Sequence, residues 1–167
     1  AAATDFGFFY ISGHGIDQKL IEQAFAVSRD FFSLSKPLKQ EVAVTSDQRG
    51  WMAQGMSKLQ GAKTHDLKEV FFWGRETQED DPDLQLGKPL VAMNKWPEHT
   101  FPRLREDLLS YYEAVCGVAS HLMAAIAVSL DQPANFFEAA YAKPLARGQL
   151  VYYPSSTTQD EAEERFG

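Results

Sequence analysis

The sequence predicts an α+β fold, and three observations carry that prediction. Apolar residues recur at three- and four-residue spacing after Asp17 and again over residues 103–130, the mark of two amphipathic helices. Runs rich in aromatic and β-branched residues stand at 6–11, 49–51, 69–73 and 149–153, each short enough for a strand. Glycine, proline and asparagine separate these runs and supply the turns between them.

Phe6-Gly7-Phe8-Phe9-Tyr10-Ile11 predicts a first strand, with Ser12-Gly13-His14-Gly15 as its exit. Asp17 suits a helix N-cap, and Leu20, Ile21, Ala24, Phe25, Phe31 and Phe32 then line one helical face. Ser35 is placed to cap a second, short helix whose first turn tolerates Pro37. Arg49-Gly50-Trp51 and Glu69-Val70-Phe71-Phe72-Trp73 predict short strands, residues 76–82 an acidic loop, and Asn94-Lys95-Trp96-Pro97 an irregular crossing. The helix over 103–130 would be roughly 40 Å long at 1.5 Å per residue. Its expected buried stripe is Leu104, Leu108, Tyr111, Val115, Val118, Leu122, Ile126 and Leu130. Asp131-Gln132-Pro133 ends it and opens a short helix through Phe136 and Phe137, and residues 149–153 form a last strand stopped by Pro154.

With 167 residues, 44% hydrophobic and 23% charged, the chain has the composition of one globular domain and not of a disordered segment. The formal net charge of -7, without a basic stripe, argues against a nucleic-acid partner. A single cysteine, Cys116, leaves no internal disulfide and fits a reducing compartment; its helical surroundings make it a buried structural thiol. The first residues show no basic region followed by an apolar run. The longest uncharged stretch, 114–130, is short of the about 20 residues a membrane span needs and reads as a buried core helix. These readings describe a cytoplasmic protein without membrane partner, and leave the oligomeric state open. A strand near the first residue and another near the last both lack a visible neighbour, so residues 1–167 read as one incomplete domain cut from something longer.

Chemistry-bearing residues are sparse. His14, His65, His99 and His121 form no i, i+4 pair and none is followed two residues later by a carboxylate. His14 with Asp17, and His65 with Asp66, lack a third ligand, and a metal site needs three or four. Phosphate-binding glycine loops and nucleophile elbows are missing too, so the residues by themselves designate no catalytic group and no metal ligand.

The succession of motifs nonetheless resembles a known family. Asp5-Phe6-Gly7-Phe8-Phe9-Tyr10 with His14-Gly15-Ile16, then Ser28-Arg29-Asp30-Phe31-Phe32, Arg49-Gly50-Trp51, Asp66-Leu67-Lys68-Glu69-Val70-Phe71, Asn94-Lys95-Trp96-Pro97 and Leu150-Val151-Tyr152-Tyr153-Pro154 follow the order of the N-terminal half of iron(II)/2-oxoglutarate-dependent dioxygenases of the isopenicillin N synthase-like family. The resemblance implies an incomplete double-stranded β-helix, or jelly roll, with N-terminal helices and one long spine helix. It also implies an oxygenase that oxidises a small organic substrate while 2-oxoglutarate is decarboxylated to succinate. In that family iron(II) is held by a His-x-Asp pair and a distal histidine, and an Arg-x-Ser pair holds the co-substrate. This sequence has neither pattern, so iron(II) and 2-oxoglutarate belong to the complete protein and neither is expected on this chain alone. Tyr153 corresponds to a tyrosine beside the 2-oxoglutarate carboxylate, although Val151 stands where relatives often have asparagine. Trp51 and Phe71 correspond to strand positions near the substrate entrance, or pack as core aromatics, while Asn94 and Trp96 anchor the loop before the long helix. The other reading is a naturally short, non-catalytic binding module of the same family.

Overall fold

Asp17 starts the first long helix as expected: its Oδ1 accepts a hydrogen bond from the Lys19 amide at 2.9 Å, satisfying one of the helix's free N–H groups. The computed structural model describes residues 2–56 and 67–155. In chain order it holds α1 (Ala2–Asp5), α2 (Gln18–Ser33), α3 (Lys36–Gln40), β1 (Gly50–Met52), β2 (Glu69–Gly74), α4 (Pro82–Gln85), α5 (Arg103–Ser129) and β3 (Arg147–Tyr152). The strands form one antiparallel sheet in the order β1-β2-β3. Helices α2 and α5 pack together and cover one face of it.

The core lies between those helices and that face. Val27, Phe31, Leu104, Leu108 and Phe71 are fully buried there, with Phe32, Trp51 and Trp73 nearly so. Phe31 meets Phe71 edge-on at 4.9 Å between ring centres, and Phe71 leans on Trp96 at 5.7 Å. Two glycines are steric necessities. A Cβ on Gly148 would sit 2.3 Å from the Trp73 ring, and one on Gly50, at φ 101°, would sit 2.3 Å from the Val42 carbonyl oxygen.

A buried polar knot fastens the edge of this core. The Lys39 ammonium, on α3, donates to the Phe32 carbonyl at the end of α2 (3.0 Å) and to Glu69 Oε2 on β2 (2.7 Å). Trp51 Nε1, on β1, donates to the same carboxylate oxygen at 2.8 Å, and Lys39 lies 5.2 Å from the centre of the Trp51 ring. At the far end of β2, Asn94 acts as a short surrogate strand. Its Oδ1 accepts from the Gly74 amide (2.8 Å) and its Nδ2 donates to the Gly74 carbonyl (2.9 Å). Trp96 Nε1 donates to Glu76 Oε2 at 3.3 Å, so Asn94 and Trp96 do anchor the loop that leads into α5.

Several expectations fail, each for a local reason. Residues 6–11 are not a strand: no described strand pairs with them, Gly7 turns the chain at φ 77°, and Phe6, Phe8, Phe9 and Tyr10 are exposed. Residues 133–141 make successive turns and no helix, with single bonds such as Phe136 N to Pro133 O at 2.9 Å. Ser35 stands at the α3 N-cap without a side-chain cap bond. Phe25 is exposed because Val27, which the sequence reading passed over, takes its place in the core. Only the first turns of the α5 stripe are buried, at Leu104 and Leu108; Val115, Ile126 and Leu130 are exposed and Leu122 is half-buried. Helix α5 is thus not the buried core helix expected, and it is long and apolar enough to cross a membrane by length and composition alone. Cys116, expected to be buried on it, is half-buried, and His121 is exposed.

The expected acidic loop also hides a structural carboxylate. Asp81 caps α4 through the Asp83 amide (2.9 Å) and accepts from Arg75 Nη2 at 3.0 Å, with Lys143 Nζ at 3.6 Å. Burial alone would raise this carboxyl group, but the Arg75 bond, the Asp83 amide and Lys143 outweigh it and hold it below the usual range.

Two measurements check this packing. Leu108→Ala should cost about 2–5 kcal/mol in urea denaturation, and Leu122→Ala less than half of that; equal losses would refute the asymmetric burial of α5. Because the folded pKa of Asp81 is depressed, its stabilisation is present above the unfolded value of about 3.9 and is lost as pH falls through the folded one. Asp81→Asn should therefore lower the urea midpoint at pH 7 and narrow its gap to wild type at pH 3, whereas a constant gap would contradict the assignment.

Candidate functional site

The register of the sheet decides which side chains share a face. Phe71 lies opposite Trp51 and Leu150, and Val70 opposite Met52 and Val151. Since side chains alternate along a strand, Trp51, Phe71, Trp73, Leu150 and Tyr152 point toward the helices. Met52, Val70, Phe72, Gln149 and Val151 form the opposite face. Among the described residues that second face is covered unevenly: Val151 is exposed and Phe72 half-buried, while Val70 is buried. This face floors a hollow of about 420 Å³ to which Tyr153, Thr45, Gln48 and Lys68 contribute from the rim.

Tyr153 follows the last paired residue of β3, so the strand ends one residue earlier than expected. Its side chain lines the hollow beside Val151 and is exposed. Tyr152 goes to the other side, where its ring stacks on Phe32 at 5.3 Å and 19°. Only one of the two adjacent tyrosines therefore faces the hollow. Gln48 holds the rim in place: it stands at φ 55°, and its Oε1 accepts a hydrogen bond from Arg147 of β3. Phenol, amide and ammonium donors around an apolar floor make a surface suited to a small organic molecule bearing a carboxylate.

Trp51 and Phe71 do not join Tyr153. They lie in the core on the helix-covered face, Phe71 with 0% of its surface exposed and Trp51 with its indole N–H committed to Glu69. In this structure both rings pack as core aromatics. Sequence reasoning overlooked Met52, Phe72 and Gln149 on the second face. The signal was the strict alternation along β2, which assigns Val70 and Phe72 together once Phe71 is known to be core.

Among the described residues, no three His, Cys, Asp or Glu side chains converge as a metal site. His14 Nδ1 accepts from the Ile16 amide at 3.1 Å while Asp17 caps α2, so that pair serves a turn and a helix start. His99 and His121 are exposed. His65 and Asp66, and the acidic run Glu161, Glu163 and Glu164, lie outside the described residues. The donor set of the described residues therefore does not fit an iron(II) ion.

Comparison with known proteins agrees with the fold and its motifs. Residues 1–99 match the family model described as "non-haem dioxygenase in morphine synthesis N-terminal". A Dictyostelium discoideum protein named "Probable iron/ascorbate oxidoreductase" is 32% identical, over 99% of this chain and 48% of its own length. An Emericella nidulans "2-oxoglutarate-Fe(II) type oxidoreductase" is 31% identical, over 93% of this chain and 46% of its own. Among solved structures, a 2OG-Fe(II) oxygenase family protein of Caulobacter crescentus superposes with a TM-score of 0.74 at 26% identity, covering 88% of this chain and 47% of that one. A Neurospora crassa protein solved in complex with alpha-KG gives 0.65 at 25% identity, over 84% and 42%. This chain thus spans about half the length of the relatives it matches. With the family model covering well over half of its residues, the chain belongs to the non-haem iron(II)/2-oxoglutarate-dependent dioxygenase family.

Proposed function

We propose that this chain is the N-terminal scaffold of a cytoplasmic oxygenase that oxidises a small organic substrate and decarboxylates 2-oxoglutarate to succinate. In that reading the second sheet face is one wall of a jelly roll whose remaining strands, with the His-x-Asp pair and distal histidine, come from residues beyond these. The single observation that carries it is the two-faced sheet. One face is sealed by α2 and α5, and the other presents Phe72, Val151 and Tyr153 around a hollow with donors at its rim. The exposed Phe6, Phe8, Val115 and Ile126 support it too, because apolar side chains left uncovered in such numbers mark surfaces that other protein covers.

The part this chain plays is to bind and orient. Tyr153 donates its phenolic hydrogen to a carboxylate of 2-oxoglutarate, and the apolar floor keeps water from that contact. The iron supplies the activation of oxygen, and none of the described residues ligates it. No catalytic step is therefore assigned to this chain's own side chains.

The complete protein should bind one iron(II) and form succinate from 2-oxoglutarate, whereas the 167-residue chain alone should do neither. Succinate production with stoichiometric iron on the chain alone would overturn the division of labour. A complete protein that makes no succinate with any substrate offered would favour the non-catalytic binding module instead.

Within the complete protein, Tyr153→Phe should raise the KM for 2-oxoglutarate about tenfold or more, since a hydrogen bond to a charged group contributes roughly 1.5–3 kcal/mol. Tyr152→Phe should change it far less, because that ring stacks on Phe32 on the opposite face. Similar effects of the two substitutions on steady-state kinetics would refute the assignment of Tyr153.

A further inference from the structure

A second hollow, of about 400 Å³, shares no lining residue with the Tyr153 hollow. Arg49 and Arg75 form its base, Lys88 and Lys143 stand at its mouth, and Pro89, Val91, Pro144 and Leu145 wall it. Its most unusual member is Arg49, which is only 4% exposed. The Arg49 guanidinium donates to backbone carbonyls alone: Asp47 at 3.1 Å, Gln48 at 3.2 Å and Leu90 at 3.0 Å. No carboxylate pairs with it, and its Nε lacks any hydrogen-bond partner among the described residues. Burial and the nearby Arg147 push this guanidinium below the usual arginine range, with the Asp47 carboxylate opposing them only in part.

The other cations are only partly neutralised. Arg75 and Lys143 share the one carboxylate of Asp81, at 3.0 and 3.6 Å, and Lys88 pairs with Asp83 at 2.7 Å. Arg75, Lys88 and Lys143 thus share the carboxylates of Asp81 and Asp83, and Arg49 has Asp47 and Arg147 nearby. A buried charge compensated only in part is costly, and an anion bound beside it offsets that cost. A phosphomonoester supplies negative charge beside this cationic cluster, and a forked guanidinium with two ammonium groups is a donor set suited to phosphoryl oxygens. The hollow is larger than a phosphate, and its proline, valine and leucine wall suits an apolar body attached to the phosphoryl group.

We propose that this second hollow is a binding site for a small phosphomonoester with an apolar body. The phosphoryl group lies between Arg75, Lys88 and Lys143, above the buried Arg49, and the site is independent of the 2-oxoglutarate pocket.

Calorimetric titration of the complete protein at constant ionic strength tests this, with phenyl phosphate and inorganic phosphate as probes against a chloride control. Saturating 2-oxoglutarate, held anaerobically, keeps the Tyr153 pocket from reporting; if 2-oxoglutarate itself fails to bind, the functional reading falls and the phosphate result still stands. Phenyl phosphate should bind, and more tightly than inorganic phosphate. Lys88→Gln and Lys143→Gln, both at half-exposed side chains, should each weaken it about fivefold with the circular dichroism spectrum of the folded protein unchanged. No binding above the chloride control, affinity indifferent to both substitutions, or equal affinity for the two probes would overturn the proposal.

Discussion

The Glu69 carboxylate is the constraint on which the arrangement of the rest depends. One of its oxygens accepts from both the Lys39 ammonium and the Trp51 indole, while Lys39 also closes the end of α2 through the Phe32 carbonyl. Two helices and two strands thus meet at one ion pair whose side chains are 6% and 15% exposed. The net contribution of such a pair is small, because desolvating both ions costs nearly what their attraction returns. Its value is geometric. Removing one partner leaves a buried charge without compensation, which costs about 3–5 kcal/mol, so arrangements that separate Lys39 from Glu69 are excluded. Trp51 and Phe71 are opposite each other only in the register that this knot permits.

Register in turn determines function. A slip of one residue between β2 and β3 would exchange Tyr152 with Tyr153 and move Phe71 out of the core. The close contact of Gly148 with the Trp73 ring opposes that slip, since any other residue delivered to that position would collide with the indole. Core packing and the composition of the face that floors the hollow are therefore one problem. The aromatic residues that stabilise the fold cannot also line the pocket: Trp51 and Phe71 are buried beneath the helices, while Val151 and Tyr153 stay exposed on the other face.

This separation also explains how much was legible in the sequence. Helix α2, its Asp17 cap, the β1 and β2 segments and the length of α5 follow from local patterns, and local patterns are what periodicity reports. Residues 6–11 have the composition of a strand, but a strand exists only when a neighbour accepts its hydrogen bonds, and no sequence window contains that information. The α5 stripe is likewise genuine as a pattern. Burial depends on what lies opposite: Leu104 and Leu108 belong to the core that α2 and the sheet build, whereas Val115, Ile126 and Leu130 are exposed. At the face that floors the hollow, the alternation of Val151, Tyr152 and Tyr153 was readable, whereas the core position of Trp51 and Phe71 required knowing which face the helices cover. Lys39, Arg49 and Asp81 were invisible for another reason: charged residues usually stand in water, and nothing local distinguishes the few that do not.

Those three buried charges have different fates, and the difference separates structure from chemistry. Lys39 finds a carboxylate and a carbonyl, and Asp81 finds a guanidinium, an ammonium and a backbone amide, so both are satisfied within the fold. Arg49 finds only carbonyl dipoles, which solvate a cation without neutralising it. A fold that needed only a peg between residues 47–48 and Leu90 would be served by a neutral donor, at lower desolvation cost. An arginine kept there holds a positive potential under a solvent-reachable hollow, where low-dielectric walls concentrate it. The same fold therefore carries two dissimilar hollows: one floored by apolar strand residues beside Tyr153, the other charged by a cation that the interior balances only in part.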